Sequence, residues 1–242
     1  MILAANDKVK LYTSPDLKAW TFASDFGLNL GSQARPWECP DLFPLTTSDG
    51  EEKWVMLVSI GNRLRDEDGP NGGSATQYFV GDFDGTTFTL DPTAMTKAKQ
   101  QIPNWIDYGR DNYAGVTWSD VPEEDGRRLF IGWMSNWDYA QVVPTEKWRS
   151  AMTLPRELTL EKINGEYQLL TQPIMELRQL RTKNVELDPL KMTIIGTNPE
   201  QVEVIVEATR TEDGFAVELK NNQGDIYRVG YDGVSNEFFS DR

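Results

Sequence analysis

One carboxylate in this chain, Glu38, sits in a setting that could change its chemistry. The stretch Trp37-Glu38-Cys39-Pro40-Asp41-Leu42-Phe43 places it between a large aromatic ring and a small thiol, just ahead of a proline. Apolar walls disfavour the charged form of a carboxyl, so Glu38 is expected to hold a proton near neutrality. A general acid needs that property. The competing reading is a turn cap, or a partner for Arg35.

Two further clusters could meet a ligand. Trp105-Ile106-Asp107-Tyr108-Gly109-Arg110-Asp111-Asn112-Tyr113-Ala114 packs two acids, an arginine and three aromatics into one loop that leads into a strand. An Asp and an Arg present hydrogen-bonding groups to sugar hydroxyls, and aromatic faces stack on sugar rings; the alternative is a salt-bridged surface loop. In Trp133-Met134-Ser135-Asn136-Trp137, Trp133 reads as core, and Trp137, past the strand end, reads as the lining of a pocket mouth.

Composition narrows the chemistry. The 242 residues include no histidine, which excludes Ser-His-Asp and Cys-His catalysis and argues against a zinc site. Cys39 is the one cysteine, so no internal disulfide forms. Any catalysis must rest mainly on carboxylates, and neither a metal nor an organic cofactor is implied. A net charge of −14 and a pI near 4.5 make nucleic acid a poor partner, since no basic stripe neutralises phosphates. An anionic membrane surface is disfavoured on the same ground, and no run approaches the ~20 apolar residues of a membrane span. A neutral substrate fits better, and eight Trp with eight Tyr suit one that stacks.

The elements that must position these residues are strands. Apolar or alternating runs occur at Val9–Tyr12, Trp54–Ile60, Gln77–Phe83, Thr86–Leu90, Ala114–Trp118, Leu129–Met134, Glu157–Glu161 and Tyr167–Leu170. Turn residues separate them, among them Asp84-Gly85, Asp125-Gly126 and Asn164-Gly165. The opening Met1-Ile2-Leu3-Ala4-Ala5 reads as a strand rather than a signal peptide. Only Pro173–Leu180 reads as helical. A second strand group, Val202–Ala208, Phe215–Leu219 and Ile226–Tyr231, alternates more cleanly and suits a sandwich sheet with one wet face. The chain is therefore all-β. Repeated hairpins over 1–172 fit about three to four propeller blades at roughly 40–50 residues each. Both ends fall at strand-like segments, which predicts a portion of a longer protein.

Taken in order, these segments resemble glycoside hydrolase family 32, which includes invertases, levanases and exo-inulinases. Trp37–Phe43 is similar to the family's acid/base motif. Asp107–Ala114 is similar to its D-Y-G-K-D-x-Y-A segment, with Arg110 for the more frequent Lys. Gly72–Gly85 resembles a blade hairpin, and Trp133–Trp137 and Leu154-Pro155-Arg156-Glu157-Leu158 match later landmarks. The wording is nearest the microbial levanase and inulinase branch. The resemblance implies a five-bladed β-propeller followed by a β-sandwich, here as a propeller portion over 1–180 and a linker with the start of the sandwich over 181–242. It implies retaining hydrolysis of terminal β-fructosyl linkages in levan, inulin or sucrose. Glu38 would be the acid/base, Asp107 and Arg110 would contact substrate, and Trp37 and Trp137 would line the fructosyl pocket.

Two motifs of the family, W-M-N-D-P-N-G with the nucleophile and F-R-D-P with a fructose-binding Asp, have no counterpart among these residues. Asp68-Gly69-Pro70-Asn71-Gly72 and Arg110-Asp111 imitate them but follow Glu38, the wrong order, and Asn112 stands where the second needs proline. The 242 residues alone are expected to be inactive, and unpaired blade edges to favour self-association. For a full-length protein, secretion is the expectation. A non-catalytic carbohydrate-binding propeller is the alternative; an arabinanase-like hydrolase fits Trp37–Phe43 and Gln77–Gly85 less well.

Overall fold

The structure, a computed structural model, describes residues 1–34, 36–61, 70, 72–186, 188, 201–207 and 214–241. The chain divides into two compact units, Met1–Thr182 and Lys183–Arg242. Nearly all regular structure is antiparallel sheet.

The first unit holds three sheets. The first contains β1 (Ile2–Ala4), β2 (Val9–Thr13) and β3 (Thr21–Phe26) in that order. The second runs β4 (Trp37–Thr46), β5 (Glu52–Ile60), β6 (Ala75–Phe83), β7 (Phe88–Leu90), and a short β8 (Asn104–Trp105) pairs with β6 beyond a one-turn helix α1 (Met95–Lys99). The third consists of β9 (Tyr113–Thr117), β10 (Arg128–Trp133), β11 (Arg156–Ile163) and β12 (Glu166–Pro173), in spatial order β12-β11-β10-β9. In the second unit β13 (Phe215–Lys220), β14 (Ile226–Asp232) and β15 (Glu237–Asp241) form one meander.

Local chemistry explains the hairpins. Asn164 and Gly165 both take positive φ, 53° and 84°, and join β11 to β12 with Ile163 opposite Glu166. A two-residue turn of that kind matches strand twist. At the β6–β7 turn, Asp84 Oδ1 accepts from the amides of Thr86 (2.8 Å) and Thr87 (2.7 Å), closing the loop with a side chain.

The core sits between sheets. Successive β5 residues point to opposite faces, and both faces are covered. Met56, Val58 and Ile60 join Val9, Leu11, Phe26, Trp37 and Phe79 between the first and second sheets. Val55 and Leu57 join Phe43, Tyr78, Val80, Phe130, Leu158 and Leu160 between the second and third. A strand buried on both faces reads as a continuous apolar run, as Trp54–Ile60 does. Among the described residues of this unit three sheets stack, the first of three strands and the third of four.

The structure departs from the sequence reading in several places. Strands β3 and β4 were not apparent from periodicity. Pro40 and Pro44 interrupt the β4 signal, yet β4 is the edge strand of its sheet, where missing amide donors are tolerated. Helix α1 is too short for an amphipathic stripe and buries only Ala98. Over Pro173–Leu180, Pro173 ends β12 and Met175–Leu180 forms a 3₁₀ turn, not an α-helix. Residues 202–207 lie outside any strand and are exposed, and Ala208 lies outside the described residues.

Candidate active site

Glu38 lies on β4 where the ladder is broken. Trp37 pairs with Ile60 and Glu38 with Ser59, and then the register shifts before Asp41. Cys39 takes φ +47°, unusual for a residue with a side chain. The pair Cys39-Pro40 thus forms a bulge, a device that re-aims side chains next to it. Asp41 resumes the ladder and locks it across sheets, its Oδ2 accepting from Thr117 N and Oγ1 of β9, both at 2.8 Å.

Alternation sends Trp37 and Glu38 to opposite faces. Trp37 is 1% exposed, and its indole donates to the Ser32 carbonyl at 3.0 Å. Its ring is core and offers no face to a substrate, so its contribution is to seat the strand that carries Glu38. The half-buried Glu38 lies beside Gly61, where a Cβ would stand 3.1 Å from Glu38 Oε2 and 2.9 Å from Pro36. Glycine there leaves space for the carboxylate. The Cys39 thiol is pushed up by burial and then by the Glu38 charge, which keeps it protonated.

Glu38 Oε2 accepts a hydrogen bond from the phenol of Tyr113, the first residue of β9, 75 positions away in sequence. Tyr113 is 4% exposed, and its phenol titrates well above its ordinary range, first because it is buried and then because of Glu38. It therefore stays a donor. Trp133 packs edge-on to Tyr113 with ring centres 6.0 Å apart, and Trp137 lies 5.1 Å from Trp133. Trp137 remains partly exposed. The contacts thus run from Glu38 through Tyr113 and Trp133 to Trp137.

Asp107 and Arg110 share a loop but not a partner. Asp107 Oδ2 meets Arg156 Nη1 at 2.5 Å, where β11 begins, and Asp107 Oδ1 accepts from Gly109 N at 2.6 Å. Arg110 instead reaches Asp138 at 2.7 Å and lies over the Tyr139 ring at 5.9 Å. Tyr139 donates to Asp111, and burial followed by that contact pushes its phenol up to about 12.

Buried Asn136 ties these loops together. Its Nδ2 donates to the Arg110 carbonyl at 2.8 Å and to those of Gly72 (3.2 Å) and Ser74 (3.3 Å), while its Oδ1 accepts from Ser74 N and Asp138 N. Gly73 must be glycine: its φ is +72°, and a Cβ would stand 2.0 Å from Asn136 Oδ1. Tyr113 and Arg156 were not singled out from sequence, although each lies inside a segment that was. Arg35 and most of the 68–72 segment lie outside the described residues. Among the described residues no group of three His, Cys, Asp or Glu is placed to hold a metal ion.

Three blade-like sheets with a carboxylate on a bulged edge strand fit the class of propeller glycosidases. The chain belongs to glycosyl hydrolases family 32: residues 1–173 match the model of the family's N-terminal domain. Levanase from Bacillus subtilis is 43% identical over the whole of this chain and 36% of its own length. The extracellular exo-inulinase inuE of Aspergillus niger is 36% identical over 99% of this chain and 45% of its own. The exo-inulinase structure from Aspergillus awamori superposes with a TM-score of 0.77 at 32% identity, covering 98% of this chain and 46% of that one. A fructofuranosidase variant from Schwanniomyces occidentalis, complexed with fructosylnystose, gives 0.74 at 26%, covering 100% and 49%. The chain spans less than half the length of these relatives. Its first unit is part of a five-bladed β-propeller of the kind these fructosidases share.

Proposed function

We propose that this chain supplies the acid/base half of a retaining β-fructosidase acting on levan, inulin or sucrose. The observation that carries it is Glu38, held on the Cys39-Pro40 bulge with Tyr113 donating to one oxygen. In the proposed reaction Glu38 protonates the glycosidic oxygen as a carboxylate nucleophile attacks the anomeric carbon. It then takes a proton from the water that releases fructose. Retention calls for two carboxyls about 5–5.5 Å apart. The second has no counterpart in the family's motif form among the 242 residues. Asp107, clamped by Arg156, and Arg110 bind fructosyl hydroxyls, and Trp137 stacks at the pocket mouth. Trp37 serves from behind, through the core.

On this reading residues 1–180 act as propeller and 181–242 as linker and the start of a sandwich, and the whole protein is secreted, as its extracellular exo-inulinase relatives are named. Uncovered apolar side chains such as Leu3 and Phe22 of the first sheet and Val116 of the third favour self-association of the isolated chain.

The test is fructose release from levan, inulin and sucrose. The 242 residues alone release none. Preceded by a segment bearing the W-M-N-D-P-N-G and F-R-D-P motifs, they release it. Release by the chain alone, lost on Glu38→Gln, would contradict the division of labour; a folded but inert joined protein would contradict the function and favour a sugar-binding propeller.

A further inference from the structure

We infer that Tyr113 is a positioning residue for Glu38, one that fixes which carboxylate oxygen carries the working proton. The inference rests on the reading of Glu38 as the acid/base. The Tyr113 hydroxyl donates to Oε2, and Gly61, with no Cβ to intrude, leaves that oxygen room. Among the described residues nothing donates to Oε1. A hydroxyl donor at Oε2 disfavours a proton on that oxygen, so the acid proton resides on Oε1, the oxygen left for the glycosidic bond. The phenol is itself aimed. It starts β9, and its ring is buried against Trp133, which fixes where its hydroxyl can reach. The charged or titratable groups that bear on it are Glu38 and Cys39, both from β4.

The chain should be labelled with 13Cζ-tyrosine and followed by NMR from neutral to strongly alkaline pH, with Tyr113→Phe to assign the signal. Tyr113 ionises above the exposed tyrosines. Glu38→Gln brings its midpoint down, because the facing charge is gone. A midpoint unmoved by Glu38→Gln in a folded chain overturns the contact. Should Glu38→Gln not fold, the wild-type chain still decides: a nuclear Overhauser effect between the Tyr113 ring and the Glu38 γ-protons is required, and its absence overturns the inference. In the joined protein that turns over inulin, Tyr113→Phe lowers kcat about tenfold and leaves KM within about twofold. An unchanged kcat defeats the positioning role and leaves Glu38 as acid/base. Absence of turnover in every form defeats the function and leaves the Tyr113–Glu38 contact standing on the NMR result.

Discussion

Two arginine–carboxylate pairs in the first unit have different characters. Arg156–Asp107 spans 2.5 Å, with side chains only 21% and 18% exposed, and ties the loop before β9 to the start of β11. Arg110–Asp138 spans 2.7 Å, but Arg110 is half exposed and both residues sit on loops. Glu38 belongs with the first kind, seated on a strand and held by Tyr113 of another sheet. The carboxylates expected to handle the reacting sugar are oriented by the sheets. The groups at the rim are oriented by one another, with Asn136 as their common anchor.

If that contrast is right, substitutions on the strand-anchored side cost folding stability and those on the rim do not. Trp37→Ala should have the largest effect, a loss of about 3–5 kcal/mol from emptying a packed core site, read by urea unfolding; a change under about 1 kcal/mol would break the comparison. Arg156→Ala should cost about 1–3 kcal/mol, because it leaves the Asp107 carboxylate partly desolvated without its cation. Arg156→Lys should recover only part, lacking the planar fork.

Tyr139 sharpens the rim side. Its folded pKa of about 12 exceeds its ordinary 10.0. The folded state therefore keeps a proton that the unfolded state has lost between those values, and stability falls as pH rises through that window. Tyr139→Phe should flatten the fall, measured as Tm against pH. Arg110→Ala should be smallest, within about 1 kcal/mol, as for exposed ion pairs. Its effect belongs on KM for fructan in the joined protein.

Much of this was legible in the residues, for physical reasons. The apolar run of β5 and the Asn164-Gly165 turn depend on neighbours in sequence, so period and turn chemistry expose them. The β4 strand was hidden because Pro40 and Pro44 erase the local signal, and its existence depends on pairing with β5. Trp37 and Trp137 are the same residue type with opposite fates, one core and one rim, and only strand alternation and the end of β10 separate them. Tyr113–Glu38 and Arg156–Asp107 join residues far apart in sequence, so no spacing rule reveals them. Family motifs marked the segments that hold all four residues without showing which side chains meet.

The central claim is that Glu38 moves the proton. The most direct test is fructose release from inulin by the joined protein, comparing wild type with Glu38→Gln, the nearest isostere without an acid proton. Release should drop by about 10²–10⁴-fold while the protein stays folded and binds inulin as before. Turnover by folded Glu38→Gln close to the wild-type rate would contradict the account.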